Sequence, residues 1–318
     1  MIKTIVIGSL NTDLVATGIK KFPKSGEHVY GKELIIGPGG KSRNIADMIA
    51  HLAPTNSVAM VGRTARDPYG FWKAPVEALA KVGVNTDYVN VLDYEEVQKL
   101  PGIALIPVDE QGNNQIIVLP GISDDFSLED IDKAIPLFEE VGSNEGMLVL
   151  TLECPLATAI YAVGQANKHG LKVMFDPGGI QAGDNIDELI QAGIYLIKPN
   201  EHEAKMLTGI DVTDFESAKK AAQKLHEKDI ENVLITHGVN GAYLFRGQTE
   251  AHIPIPNVEA SGQKDETGCG DQTMAGLCAS LQDGKNTEEA ARLAVLAGTL
   301  QFHKTGIQPV TKDELEGI

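Results

Sequence analysis

The chain has 318 residues, 42% of them hydrophobic and 22% charged, with a formal net charge of −17. That length suits one large α/β domain, or one domain with a small insertion. The charge argues against nucleic acid or an anionic membrane as partner. Cys154, Cys269 and Cys278 form no Cys-x-x-Cys pair and have no histidine at zinc spacing, which argues against structural zinc and fits a reducing compartment.

In chain order, residues 5–10 read as a buried strand that begins almost at the N-terminus. No signal segment and no apolar run of membrane-spanning length is visible, so a cytoplasmic location is expected. Residues 14–36 are rich in Lys, Gly and Pro, with a β-like patch from His28. Gly37-Pro38-Gly39-Gly40 interrupts that patch, and residues 42–52 have helical spacing. Residues 57–63 read as a strand and 69–82 as a helix. Residues 102–108 and 114–119 flank Asp109-Glu110-Gln111-Gly112-Asn113 as a β-hairpin.

From there strands at 147–153, 172–177, 195–200 and 232–238 alternate with helices at 155–169, 185–192, 201–207 and 214–228. Met274, Leu277, Cys278 and Leu281 fall on one face of a further helix, and 287–303 forms the last one. This alternation predicts a mainly parallel sheet with helices on both faces. Ligands of such sheets bind beyond the carboxyl ends of the strands. Asn11, Asp13, Glu153, Asp176, Asn200 and residues 236–238 gather polar groups at those ends. Residues 14–36 and 92–120 stand outside the alternation and are assigned to a small β lid over the site, within one domain spanning 1–318.

Asp265-Glu266-Thr267-Gly268-Cys269-Gly270-Asp271 carries the chemistry. A glycine turn running into a helix start offers N–H groups and a positive dipole end to an anion. A carboxylate there repels phosphate, unless Asp271 takes a proton from a hydroxyl while the N–H groups of Gly268, Cys269 and Gly270 hold the charge that develops. The alternative is that Asp271 only caps the helix. Gly39-Gly40-Lys41-Ser42-Arg43-Asn44 suggests the end of a P-loop, but Ile35 stands where the first glycine of that motif belongs. A plain glycine turn with Ser42 as cap is the other reading. Asn11-Thr12-Asp13 reads as a turn or as hydroxyl acceptors. Asn200 and Glu203 read as a helix cap or as groups near Mg²⁺, an ion that needs few carboxylates. Thr236, Gly238 and Gly241 read as a hairpin turn or a nucleotide loop.

Asp-x-Thr-Gly-x-Gly-Asp resembles the C-terminal signature of the ribokinase (PfkB) family of carbohydrate kinases, with Cys269 in place of the usual Ala. Gly-Gly-x-x-x-Asn at 39–44 resembles its N-terminal signature, Gly8-Ser9-x-Asn11-x-Asp13 its sugar-binding start, Asn200-x-x-Glu203 its metal motif, and Thr236-x-Gly238-x-x-Gly241 its nucleotide loop. Smaller matches at 83–86, 108–113 and 304–308 keep the family's order, so the resemblance covers nearly the whole chain. It implies a ribokinase-like α/β fold with a β lid, and an ATP- and Mg²⁺-dependent sugar kinase with Asp271 as base. It implies sugar contacts from Asn11, Asp13, Gly39, Gly40, Lys41, Asn44 and Glu153. Asn200, Thr236, Gly238, Gly241 and Gly270 would hold nucleotide, and Glu203 would reach Mg²⁺ through water. Asp265 and Thr267 would hold K⁺.

Lys41 points to the ribokinase branch, and Asp13 with Glu153 disfavours a substrate that already carries a phosphate. D-ribose or a related pentose, phosphorylated at its primary hydroxyl, is therefore the expected substrate. A nucleoside or sugar-phosphate kinase of the same family is the alternative, and a non-catalytic sensor a remote one. A nucleotide-binding oxidoreductase is disfavoured because no Gly-x-Gly-x-x-Gly follows the first strand. Ser42-Arg43 stands where the family it resembles often has a small Gly-Ala pair, and Arg43 either faces solvent or reshapes the pocket. A homodimer through the lid is expected, with Ile103, Leu105, Ile117 and Leu119 on its apolar face.

Overall fold

The computed structural model describes residues 1–258 and 264–317. Its strands are β1 (Thr4–Ile7), β2 (Asn11–Ile19), β3 (Glu33–Gly39), β4 (Val58–Arg66), β5 (Asn85–Asp93), β6 (Gly102–Asp109), β7 (Ile117–Leu119), β8 (Met147–Thr151), β9 (Lys172–Asp176), β10 (Leu196–Ile197), β11 (Asn232–Thr236), β12 (Ala242–Arg246) and β13 (Thr249–Ile253). Its helices are α1 (Lys41–Leu52), α2 (Lys73–Lys81), α3 (Tyr94–Val97), α4 (Leu128–Lys133), α5 (Ile135–Gly142), α6 (Leu156–Lys168), α7 (Asp187–Gln191), α8 (Glu201–Thr208), α9 (Phe215–His226), α10 (Cys269–Gln282), α11 (Thr287–Phe302) and α12 (Lys312–Glu316).

The large sheet has nine strands in the order β13-β12-β11-β10-β9-β8-β1-β4-β5. It is parallel from β5 to β11, and β12 and β13 close one edge antiparallel. Its central strands are buried on both faces, so they read as unbroken apolar runs. Successive side chains still serve opposite layers. Ile5, Ile7, Leu148, Leu150, Val173 and Phe175 pack with α5, α6 and α9 residues such as Phe138, Val163 and Ala222. Val6, Val149 and Met174 pack with α1, α10 and α11 residues such as Met48, Met274 and Ala294.

The chain leaves β1 for β4 on one side and returns to β8 on the other. The crevice between the carboxyl ends of β1 and β8 is therefore a topological switch point, where ligands of open α/β sheets bind. A second sheet of four strands, in the order β3-β2-β6-β7, springs from that end of β1. Its strands coincide in part with the segments at 14–36 and 92–120, although Leu92 and Asp93 still belong to β5 of the large sheet. Asn11 and Asp13 thus lie on β2 rather than in a turn.

Candidate active site

Asp271 lies in the first turn of α10, whose N-cap is Gly268. Gly268 has φ 75°, a left-handed conformation that glycine adopts without Cβ strain, and an added Cβ would meet Ile307 at 2.7 Å. Among the described residues no side chain caps this helix. Asp271 instead points into the protein, 4% exposed, and its two oxygens accept different donors. Lys41 Nζ donates to Oδ1 at 3.3 Å, and Asn44 Nδ2 donates to Oδ2 at 3.2 Å. The cap reading is therefore excluded. Of the proposed anion donors, the Cys269 N–H is already engaged with the Glu266 carbonyl at 3.2 Å, because the turn closes there. The N–H groups of Gly268, Gly270 and Asp271 have no acceptor among the described residues. The Cys269 thiol is pushed up to about 12 by burial and by the acids Asp265, Glu266 and Asp271, so it stays protonated. Its Sγ donates to the Asp265 carbonyl at 3.5 Å.

Lys41 opens α1 and lies over Gly178, where a Cβ would meet its Cε at 2.7 Å. Asp271 foremost, against the cost of burial, and then Asp176, Glu153 and Glu203 hold its ammonium above the ordinary lysine range. Glu153 is pulled toward the same turn: its Oε2 accepts from the Lys41 N–H at 2.9 Å and from the Ser9 hydroxyl. Burial raises its carboxyl above the ordinary range. Ser42, expected as a possible cap, instead bonds Thr151 Oγ1 at 2.9 Å, and Gly40 is the N-cap of α1.

Asp13 lies against Gly39, where a Cβ would fall 1.9 Å from its carboxylate, so only glycine leaves room for it. Burial and the charge of Glu153 raise Asp13 to about 6, while Arg43 works the other way. Asn11 is 4% exposed, and its Oδ1 has no donor among the described residues. That oxygen lies against Gly102, where an added Cβ would fall 2.0 Å from it. Ser9, Asn11 and Glu153 share a cavity of about 470 Å³ with Val118 of the small sheet and Gln181. Arg43 does not face solvent: it is 2% exposed and paired to Asp47 at 2.7 Å, one helical turn on. That partner at i+4 is what lets a guanidinium be buried.

Asn200 and Glu203 form a reciprocal capping box on α8: Glu203 N–H to Asn200 Oδ1 at 2.8 Å, and Asn200 N–H to Glu203 Oε2 at 2.9 Å. Each thus has one polar atom committed to the helix start, leaving the Asn200 amide nitrogen and Glu203 Oε1. Burial, and then Asp176, raise the Glu203 carboxyl. Asn200 bridges Thr236 across the ends of β10 and β11. Gly238 begins a 3₁₀ turn ending at Asn240, and Gly241 passes Ile253 so closely that a Cβ would lie 2.1 Å from its carbonyl oxygen. Val239 projects from this turn, 85% exposed. Asp265 Oδ1 accepts the Thr267 N–H at 2.9 Å and Oδ2 the Gly306 N–H at 2.8 Å. Burial opposes ionisation there, but these donors win and hold the carboxyl below its ordinary value.

Sequence reasoning missed one ion pair. Lys198 Nζ stands 2.8 Å from Asp176 Oδ2, both side chains 3% exposed. Burial disfavours the Asp176 charge, but Lys198 and then Lys41 outweigh it and lower its carboxyl. Lys198 Nζ also lies 3.8 Å from where a Gly270 Cβ would be, at the mouth of α10. The signal was available: Asp176 ends β9, Lys198 follows β10, and Phe175 pairs with Ile197. Opposite charges therefore face each other across adjacent strand ends.

Residues 1–314 match the sequence profile of the pfkB family carbohydrate kinases. The chain belongs to that family. It is 33% identical to the ribokinase of Haemophilus influenzae over 320 residues, covering 99% of this chain and 98% of that one. It is 30% identical to the deoxyribokinase of Salmonella typhi, covering 95% and 93%. The structure of Arabidopsis thaliana ribokinase complexed with ribose and ATP superposes with a TM-score of 0.86 at 28% identity, covering 100% of this chain and 98% of that one. The chain is thus an ATP-dependent sugar kinase with the ribokinase-like fold, as the motifs implied.

Proposed function

We propose that this kinase transfers the γ-phosphoryl group of ATP to the primary hydroxyl of D-ribose or a closely related pentose. The observation that carries the reading is Asp271: a buried carboxylate beside unengaged N–H groups at a helix start. Asp271 accepts the hydroxyl proton as the sugar oxygen attacks. Gly268 and Gly270 N–H groups face the developing phosphoryl charge, with Lys198 and Lys41 adding positive field. Asn11, Asp13, Gly39, Gly40, Lys41, Asn44 and Glu153 bind the sugar. The carboxylates of Asp13 and Glu153 suit a neutral polyol. Asn200, Thr236, Gly238 and Gly241 line the nucleotide side, and exposed Val239 offers an apolar contact to a base.

Among the described residues no cluster of three or more His, Cys, Asp or Glu could hold a metal ion. That donor set fits Mg²⁺ carried largely by phosphates and water, with Glu203 Oε1 reaching it through water. Mg²⁺ would neutralise charge on the transferring phosphates. The ionised Asp265 carboxylate and the Thr267 segment form an oxygen-only donor set that suits K⁺. The small sheet would act as a lid.

Its outer strands expose Leu34, Ile35, Ile36, Ile117, Val118 and Leu119, which supports a homodimer through the lid. Ile103 shares that face with Leu105, Ile117 and Leu119 by register but is itself buried. No helix among the described residues is long and apolar enough to cross a membrane. A cytoplasmic site of action is part of this proposal.

The test is a panel of D-ribose, 2-deoxy-D-ribose, other pentoses, nucleosides and sugar phosphates with ATP and Mg²⁺, read by ADP release. A free pentose should lead. A kcat/KM at least ~10-fold higher for a nucleoside or sugar phosphate, about 1.4 kcal/mol of transition-state preference, overturns the substrate and leaves the kinase intact.

A further inference from the structure

Asn44 sits between two groups that can each bond it in only one way. A guanidinium has donors only, and a carboxylate accepts only. Arg43 Nη1 donates to Asn44 Oδ1 at 3.1 Å, and Asn44 Nδ2 donates to Asp271 Oδ2 at 3.2 Å. The amide is therefore oriented from both sides: flipping it would set Nδ2 against a cation and Oδ1 against a carboxylate. Arg43 is itself anchored, because Nη2 donates to Asp47 Oδ2 at 2.7 Å. Asp47 in turn stands 3.5 Å from His51 Nδ1. Arg43 carries more bonding capacity than this use consumes, since its buried Nε has no acceptor among the described residues.

We propose that Arg43 is a positioning residue for phosphoryl transfer, acting through Asn44 to hold the Asp271 carboxylate in register with the sugar hydroxyl. Arg43 itself touches neither sugar nor phosphate in this role. A small residue at this position would leave the Asn44 carbonyl without its donor, and the amide free to rotate away from Asp271. Arg43 also lies near enough to Asp13 for its charge to favour the carboxylate there, which ties the base and the sugar site to one side chain. The inference rests on Asp271 being the base.

Arg43→Ala alone strands Asp47 in the interior and risks unfolding. The informative variant is Arg43→Ala/Asp47→Ala, which removes the ion pair as a unit. Arg43→Lys is its companion. It keeps a charge beside Asp47, but a single ammonium lacks the planar fork that reaches Asn44 as well. Two readouts are taken on protein shown to be folded by circular dichroism. The first is the side-chain amide NMR signal of Asn44 in the ligand-free protein, assigned by its loss in Asn44→Ala. The second is kcat and KM with ATP and the best sugar of the panel.

Expected is an Asn44 signal that moves toward the solvent-exposed position in both variants. With it kcat should fall roughly 10- to 100-fold, the scale of a misoriented catalytic group, and KM for ATP should hold. A parental kcat in the folded variants, or an Asn44 signal that does not move, overturns the proposal. Failure of the base assignment is separately visible as activity retained in Asp271→Asn.

Discussion

Lys41 Nζ and Asp271 Oδ1 lie 3.3 Å apart, joining the first turn of α1 to the first turn of α10. The two family signatures thus meet in space as a lysine beside a buried carboxylate. With a third of its side chain exposed, Lys41 is also positioned to turn toward an incoming phosphate.

The sugar side should show an acid limb. Asp13, raised to about 6 by burial and by Glu153, must be ionised to accept sugar hydroxyls. A raised acid pKa means that the neutral form grows as pH falls through 6. The value of kcat/KM should then drop about tenfold per pH unit below that point. Asp13→Asn should lower kcat/KM near neutrality and abolish this limb. A pH profile flat down to 5 in the parent would contradict the role.

The Lys198–Asp176 pair should separate stability from catalysis. Both side chains are 3% exposed, so Lys198→Met strands a buried carboxylate and should cost roughly 3–5 kcal/mol in denaturant unfolding. Lys198→Met/Asp176→Leu should recover most of that stability, since the pair is removed together. Turnover should stay low in the double variant, because the ammonium near Gly270 is gone. Parental turnover there would make the pair purely structural.

A monovalent cation should matter through Asp265. K⁺ should raise the rate, and Asp265→Ala should abolish the rise while weakening the turn that its carboxylate holds to Thr267 and Gly306. Equal rates in K⁺ and tetramethylammonium buffers would sink this assignment.

Much of this was written in the chain. The central strands announce themselves as apolar runs because both faces are covered, as at Met147–Thr151. β5, Asn85–Asp93, was not assigned because an edge strand with polar residues along it gives no such run. α4 and α5 were also overlooked, as short helices interrupted near Pro136. β10 was expected from 195 to 200 but keeps only Leu196 and Ile197, since Pro199 follows closely. At the site, the family resemblance pointed to Asp271, Asn44 and the Asn200-x-x-Glu203 pair, and the structure sets Asn44 Nδ2 3.2 Å from Asp271 Oδ2 and Asn200 with Glu203 in a capping box. The Arg43 orientation was not legible: a charged residue in a first helical turn reads as solvent-facing unless Asp47 at i+4 is recognised as its buried partner. Ile103 shares a sheet face with Leu105, Ile117 and Leu119 by register, and it is buried where β6 pairs with Thr12 of β2.

The most direct measurement is kcat for Asp271→Asn against the parent, with saturating ATP, Mg²⁺ and the preferred sugar. Asn keeps the size and one of the two acceptor oxygens, so it can accept from Lys41 or from Asn44 but not from both, and it cannot take the proton. The account predicts a fall of roughly 10²-fold or more, with KM for the sugar much less changed. Turnover close to the parent rate would contradict it, and would leave Asp271 a buried structural carboxylate tied to Lys41 and Asn44.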